Sequence, residues 1–144
     1  MASQIDVHWR ISNSPRYARF LSFAEAAARS VRIPKVSEHA RGLGAVDALM
    51  LACVHRAANP DHDQNRLIWL YDIHLLAEAL DAGQQGEFAD LARRRGTASA
   101  CLQGLALVQR RLRTAFSDGA RECLGLAATE EGADPRYSQS YLTS

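Results

Sequence analysis

The chain contains a single lysine, Lys35, against sixteen arginines, and its formal net charge is only +1. The arginine excess indicates a GC-rich genome. A near-neutral chain is not expected to bind nucleic acid or a membrane surface through bulk charge. No apolar run approaches the roughly 18 residues of a membrane span, and the residues after Met1 do not read as a signal peptide. We therefore expect a soluble, cytoplasmic protein with no membrane partner and no specific nucleic-acid partner.

Cysteine is also scarce. Cys53, Cys101 and Cys123 are odd in number, and no two have the spacing of a metal site or of a C-x-x-C motif. Each lies in an apolar, helix-like run, so we expect buried free thiols in a reducing compartment. The chain also lacks a phosphate-binding loop, a dinucleotide-binding glycine pattern and a recognisable Ser-His-Asp or Cys-His arrangement. With 144 residues, one domain can bury a core without metal or disulfide support.

The clearest positive pattern is the segment 5–11, Ile-Asp-Val-His-Trp-Arg-Ile, in which apolar and polar residues alternate. This alternation predicts a strand with one buried face. On its polar face lie Asp6, His8 and Arg10, with about 6.5–7 Å between successive Cα atoms. These groups are close enough to share a metal ion or a phosphate. Taken alone, the segment favours the solvated face of an edge strand over a binding site.

After this strand the chain is predicted to be mainly helical. We predict helices over residues 16–29, 45–58, about 65–80, 87–95, 97 to about 116, and 121–127. Gly83 and Gly86 are predicted to separate the helix 65–80 from the helix 87–95. Thr97 is predicted to cap the helix that follows it. Pro34 favours an extended segment over 31–36, and 38–43 is compatible with a second short strand. The predicted fold is α+β, mainly α: an N-terminal strand, alone or with a small hairpin, followed by a four- to five-helix bundle. The domains are 1–43 (a sheet remnant), 44–128 (helical) and 129–144 (a flexible tail).

The segment 61–65, Asp-His-Asp-Gln-Asn, matches the first three ligand positions of a calcium-binding EF-hand loop. The match fails at the sixth position, where Arg66 stands in place of the glycine that the turn requires. We therefore reject calcium and interpret the segment as a solvated loop with Asp63 or Asn65 as helix cap.

Polar and aromatic residues also gather on the second and third predicted helices, at His55, Arg66, Trp69, Asp72 and His74. Asp72 has apolar neighbours in sequence, so we expect it to be partly buried and to need a partner, either Arg66 or His55. A structural cluster that ties the two helices together is the alternative to a functional site.

Two blocks of the sequence resemble a known family. Residues 5–10, I-D-V-H-W-R, are similar to its V-D-L-H-W-R strand. Residues 47–57, which contain L-x-L-x-x-x-H, and residues 66–73 (R-L-I-W-L-Y-D-I) are similar to its helix pair, the second block through the pattern R-L-x-W-L-x-D-I. Over about residues 4–116 the chain thus resembles the uncharacterised bacterial nucleotidyltransferases of the polymerase-beta-like superfamily.

The resemblance implies transfer of a nucleoside monophosphate from an NTP to an unknown acceptor, with Mg²⁺ neutralising the triphosphate. In such enzymes a Gly-Ser motif holds the phosphates, and a D-x-D pair with a third carboxylate binds the metal. Asp6 matches the third carboxylate and is the implied catalytic and metal-binding residue. The implied substrate- or nucleotide-binding residues are His8, Arg10, His55, Arg66 and Asp72.

The sequence departs from this pattern because no Gly-Ser motif and no D-x-D pair precede Asp6. We therefore predict the C-terminal portion of a nucleotidyltransferase-like protein, inactive alone, that is either a truncated product or one half of a site completed by another chain. The alternative is a non-catalytic helical interaction module, whose Ile5, Val7 and Trp9 complete a sheet with a partner or a second copy.

Overall fold

The computed structural model describes residues 11–12, 14–59 and 66–133. This part is mainly helical with one small antiparallel hairpin, which confirms the predicted fold class. The elements in chain order are a 3-10 helix (Pro15–Tyr17), α1 (Phe23–Ala28), β1 (Val31–Arg32), β2 (Arg41–Gly42), α2 (Ala45–Ala57), α3 (Leu67–Glu78), α4 (Ala82–Arg95), α5 (Ala98–Leu112) and α6 (Asp118–Ala133). The predicted strand 5–11 lies, apart from Ile11, outside the described residues. No helix of the described ranges is long and apolar enough to cross a membrane.

Helix α5 is the centre of the bundle, because α2, α3, α4 and α6 all pack against it. The fully buried side chains come from helices α2 to α6 and include Leu49, Met50, Leu70, Ile73, Phe88, Leu105 and Leu124. At Gly104, a Cβ atom would lie 3.2 Å from the Cys53 sulfur and 3.4 Å from Ile73 Cδ1. Glycine therefore allows α5 to approach α2 and α3 closely at this point.

Two helices begin where a capping box forms, which corrects the predicted boundaries. In α1, the Glu25 amide donates to Ser22 Oγ at 3.1 Å and the Ser22 amide donates to Glu25 Oε2 at 3.0 Å, so the helix starts at Phe23 and not at residue 16. In α4, the Gln84 amide donates to Asp81 Oδ1 at 2.8 Å and starts the helix at Ala82. The predicted break at Gly83 and Gly86 was wrong, because both residues lie within α4. A glycine inside a helix costs about 1 kcal/mol, and the capping box contributes a similar stabilisation that helps to offset this cost.

The last two helices also differ from their predicted ends. Helix α5 ends at Leu112, because Arg113 takes a left-handed conformation with φ of 54°. Helix α6 continues to Ala133, beyond the predicted end at Ala127, and so includes the first residues of the predicted tail. Residues from 134 onward lie outside the described residues, and the division into domains stays a prediction.

Two of the three cysteines have the predicted environment. Cys53 and Cys101 are buried free thiols, and burial raises the pKa of the Cys101 thiol well above its ordinary value. Both are therefore expected to be unreactive. Cys123 is exposed on α6, so its predicted burial was wrong.

Candidate functional site

A groove of about 890 Å³ opens between α2, α3 and the segment that precedes the hairpin. This volume falls within the range of about 300–1,000 Å³ that is typical of small-molecule sites. Its lining is largely apolar and includes Leu21, Phe23, Leu43, Leu51, Leu75 and Leu76. Among the described residues, the ionisable groups of the lining are His55, from the last turn of α2, and Asp72, from the middle of α3. An apolar cleft with a few polar groups is suited to a ligand that has a flat apolar part and hydroxyl groups.

His55 and Asp72, two members of the predicted cluster, both line this groove. Arg66 does not line it. The Arg66 guanidinium carbon lies 5.6 Å from the centre of the Trp69 ring, and the His55 ring meets the same indole edge-on, with ring centres 5.0 Å apart. Trp69 thus connects Arg66 to the rim of the groove through aromatic and cation–π contacts.

Asp72 is not partly buried, and this expectation was wrong. Its side chain is exposed, and it makes no hydrogen bond or ion pair with any residue that the structure describes. The reason is the orientation of α3, which turns Leu70, Ile73 and Ala77 into the core and leaves Asp72 on the opposite side. The Asp72 carboxylate needs no internal partner there and is available as a hydrogen-bond acceptor for a ligand in the groove.

His74, the remaining member of the predicted cluster, has a structural role. Its Nδ1 atom lies 2.8 Å from Thr114 Oγ1, which connects α3 to the segment after α5. The expected alternative, a cluster that ties α2 to α3, describes the contact between His55 and Trp69, whereas His74 ties α3 to the segment after α5.

Ile11 is the residue of the alternating segment 5–11 that the structure describes, and it lines the groove together with His55 and Asp72. Asp6, His8 and Arg10 lie outside the described residues and stay predictions.

The described residues do not fit a Mg²⁺ ion by themselves. No group of three or more His, Cys, Asp or Glu side chains in the ranges 11–12, 14–59 and 66–133 is placed to hold a metal. Mg²⁺ requires several oxygen ligands in octahedral geometry, and Asp72 is the one carboxylate among the described residues of the groove. The predicted magnesium site therefore depends on residues outside the described ranges.

Asp47, which the sequence did not single out, is the buried charge behind the groove. It is fully buried near the start of α2, and it accepts hydrogen bonds from Arg29 Nε at 2.9 Å and from Arg95 Nη1 at 2.8 Å. Arg29 also pairs with Glu87 at 2.7 Å. This cluster ties α2 to α4 and to the end of α1, and so fixes the wall of the groove. A lone aspartate in an apolar helical run is the signal that could have identified it.

Glu131, which lies far from α5 in the sequence, caps the start of α5 by direct hydrogen bonds. Its carboxylate accepts hydrogen bonds from the Ala98 amide and, at 3.1 Å, from the Ser99 amide. Thr97 occupies the N-cap position, as predicted, but its side chain makes no cap hydrogen bond. Burial raises the pKa of the Glu131 carboxyl above its ordinary value, although the two amides and Arg16 oppose the shift. The contact explains why α6 extends beyond its predicted end.

Comparison with known proteins adds one result to this geometry. A family model described as an uncharacterised nucleotidyltransferase matches residues 2–113, which is 112 of the 144 residues. The matched range contains Asp6, His8 and Arg10, both helices of the groove, and all of α5. No curated protein and no solved structure matches the chain. Because the match covers more than half of its length, the chain belongs to the uncharacterised nucleotidyltransferase family, as the resemblance predicts.

Proposed function

We propose that the chain is the nucleotide- and acceptor-facing portion of an enzyme that transfers a nucleoside monophosphate from an NTP to an acceptor. The observation that carries the proposal is the groove between α2 and α3, in which His55 and Asp72 are the ionisable groups of an otherwise largely apolar lining. The family match covers both helices and supports the reaction class.

The chemistry of the groove assigns a role to each side chain. The apolar lining suits a base and the carbon skeleton of a ribose. Asp72 accepts a hydrogen bond from a ribose or acceptor hydroxyl, and His55 donates or accepts one according to its tautomer. Arg66 contacts Trp69 and not the groove, so we assign it to holding the indole against His55.

The proposal includes a catalytic centre at Asp6, with His8 and Arg10 beside the phosphates. Asp6 and the ligands that complete the site would hold Mg²⁺, which would neutralise charge on the triphosphate and favour displacement at the α-phosphorus. Because the sequence has no Gly-Ser motif and no D-x-D pair before Asp6, we propose that a further segment or a second chain completes the site. The chain alone then holds an NTP without turning it over. Cytoplasmic location and bacterial origin belong to the same proposal.

The first experiment separates binding from turnover. The purified chain is titrated with ATP, GTP, CTP and UTP by calorimetry in the presence of Mg²⁺, and pyrophosphate release is followed in parallel. We expect at least one NTP to bind without release of pyrophosphate. Binding should weaken about tenfold in His55→Ala and in Asp72→Ala, because each substitution removes a hydrogen bond to the ligand. Asp90→Ala, at an exposed carboxylate on α4, is the matched control and should bind like the parent chain.

Either of two results would contradict part of this proposal. Absence of heat with every NTP would remove the groove as a nucleotide site. Pyrophosphate release by the chain alone would show that its site is complete without added residues.

The second experiment concerns the source of the missing motifs. The genomic DNA upstream of Met1 is read for an in-frame extension that encodes a Gly-Ser motif and a D-x-D pair. If it is present, the longer protein should transfer label from an α-phosphate-labelled NTP, and Asp6→Asn should abolish the transfer. A longer protein whose transfer survives Asp6→Asn would contradict the role of Asp6.

An interaction module is the second candidate function, and the outer face of α3 favours it. Leu67, Ile68, Tyr71 and Leu75 are 49–69% exposed within the described part of the chain. Contiguous exposed apolar side chains of this kind mark protein interaction sites. Light scattering after size exclusion tests this candidate, because association with a second copy would support it and a clean monomer would weaken it.

A further inference from the structure

Phe23 is the phenylalanine that the fold leaves in water. The other three, Phe20, Phe88 and Phe116, are at most 9% exposed, whereas Phe23 is 86% exposed. Its ring stacks on no aromatic ring of the described residues. A single apolar side chain on a convex surface would need no explanation. Phe23, however, lines the concave groove between α2 and α3.

The start of α1 does not require an aromatic residue at position 23. The helix begins with the capping box of Ser22 and Glu25, whose hydrogen bonds do not involve the Phe23 side chain. The residues that bury the inner side of this turn are Leu21 and Ala26. Alanine or leucine at position 23 would suit the helix better, because both have a higher helix propensity than phenylalanine.

Helix α1 holds the backbone of Phe23 in place from both ends. The capping box fixes the first turn. At the other end, Arg29 Nε donates to the buried Asp47 carboxylate at 2.9 Å, and the Arg29 guanidinium pairs with Glu87 at 2.7 Å. The ring is therefore presented to the groove before a ligand enters, which lowers the ordering cost of binding.

The Phe23 side chain also lines a second pocket that adjoins the groove. This pocket has a volume of about 730 Å³, against about 890 Å³ for the groove. The groove and the pocket share three further apolar residues, Ile11, Leu43 and Leu51. A flat, apolar ring system can cover these side chains without leaving a polar side chain among them unpaired.

Stacking on a base is the chemistry that distinguishes phenylalanine from an aliphatic residue at this position. Every base has a π-face, and removal of an aromatic stacking partner weakens binding of a base by about tenfold. A purine has two fused rings and overlaps a phenyl ring over a larger area than a pyrimidine does, so stacking favours purines. Leu43 and Leu51 have no hydrogen-bonding side chain that could distinguish adenine from guanine.

We propose that Phe23 stacks on the base of the bound nucleotide and gives the chain a preference for purine over pyrimidine nucleoside triphosphates. This inference rests on the proposed function, because it takes the groove as the nucleotide site. It adds the residue that holds the base and the class of NTP that the groove selects. A base stacked on Phe23 leaves the ribose hydroxyls to His55 and Asp72.

Calorimetric titration of the full chain with ATP, GTP, CTP and UTP in the presence of Mg²⁺ tests the proposal. The parent chain should bind ATP and GTP more tightly than CTP and UTP. Phe23→Leu keeps an apolar side chain without a ring, and should weaken ATP and GTP binding about tenfold but CTP and UTP binding less. Phe23→Tyr keeps the ring and should stay within about twofold of the parent chain.

Two controls separate stacking from a structural effect. Leu126→Ala changes an apolar side chain of α6 that is 71% exposed and lines neither the groove nor the adjoining pocket, so it should bind all four nucleotides like the parent chain. Inorganic triphosphate has no base and should bind equally to the parent chain and to Phe23→Leu. Thermal unfolding should show that Phe23→Leu is as stable as the parent chain, because the ring is exposed.

Several results would overturn this inference and leave the nucleotide groove in place. These are a parent chain that binds all four nucleotides equally, nucleotide binding that Phe23→Leu leaves unchanged, and an equal loss for purine and pyrimidine nucleotides. An oligomer of the parent chain that dissociates in Phe23→Leu, seen by light scattering, would instead assign the ring to chain association. Absence of binding with every NTP would overturn the proposed function and this inference together, so the two failures are distinguishable.

Discussion

The molecule has two contrasting sides: a packed side, where the buried carboxylates of Asp47 and Glu131 are bonded by other residues of the chain, and the groove between α2 and α3, which leaves polar and apolar groups open. On the first side, the Asp47 carboxylate is held by two arginines and the Glu131 carboxylate caps α5. On the second side, Asp72 has no described partner and Leu75 is half exposed. The two sides therefore have different physical roles.

This comparison distinguishes the charged residues that stabilise the fold from those that are available to bind a ligand. A buried carboxylate without partners would be costly, so those of the first side are paired within the chain. An exposed carboxylate at the rim of an apolar groove costs little and keeps its hydrogen-bonding capacity. Substitutions on the packed side are therefore expected to lower the free energy of unfolding more than substitutions in the groove.

The largest effect is expected at Asp47. Asp47→Ala leaves Arg95, whose side chain is only 8% exposed, without its carboxylate, and should lower the free energy of unfolding by about 3–5 kcal/mol. Asp90 also bonds two arginines, Arg93 and Arg94, but on the exposed surface. Asp90→Ala should therefore change stability little. Urea unfolding followed by circular dichroism measures both, and equal losses would contradict the assignment of Asp47 to the fold.

The next effect contrasts the two faces of α3. Ile73→Ala should destabilise the protein by about 2–5 kcal/mol, because Ile73 is fully buried against α5. Leu75→Ala, on the groove side, should cost less than about 1 kcal/mol because half of the side chain is already in water. Thermal and urea unfolding give both values. A large loss at Leu75 would show that the groove is part of the packed core.

A smaller effect is expected at the cap of α5. Glu131→Ala should lower the free energy of unfolding by about 1–2 kcal/mol, since two amides at the start of α5 lose their acceptor. Glu130→Ala, one residue away and exposed, is the control and should be nearly neutral. Chemical unfolding gives the free energy of unfolding of both variants and of the parent chain. A Glu131→Ala variant as stable as the parent chain would contradict the capping role of Glu131.

Glu131 also predicts a pH dependence. Because burial raises its pKa in the folded state, the native chain holds the proton more tightly than the unfolded chain. The contribution of this group to stability is therefore fully present below the ordinary pKa of 4.5 and declines as the pH rises through the folded value. The difference in unfolding free energy between the parent chain and Glu131→Gln should change with pH in that direction. A difference that grows more favourable to the parent chain as the pH rises would contradict it.

Sequence patterns predicted the helices but not the contacts between them. Hydrophobic periodicity identified α2, α3 and α5 because each has a continuous apolar face. The start of α4 escaped prediction because its glycines weigh against a helix, whereas the Asp81–Gln84 box that starts it is a specific pair of hydrogen bonds. Glu131 escaped because its partners, Ala98 and Ser99, are more than thirty residues away in sequence.

In the candidate site, too, local patterns predicted which helices are involved but not how distant segments pack around them. His55 and Asp72 were predicted as members of one cluster on two consecutive helices, and both line one groove. The burial of Asp72 was predicted wrongly, since apolar neighbours along the chain do not say which face of α3 meets the core. The contribution of Phe23 and Leu43 to the groove depends on how distant segments pack, which local patterns do not encode.

Hydrogen–deuterium exchange, measured with and without Mg²⁺ and an NTP, tests the central claim most directly. The amides of α2 and α3 that border the groove should exchange more slowly when the nucleotide is present, and those of α6 should not change. Protection confined to α6, or no protection anywhere in the chain, would contradict the assignment of the α2–α3 groove as the nucleotide site.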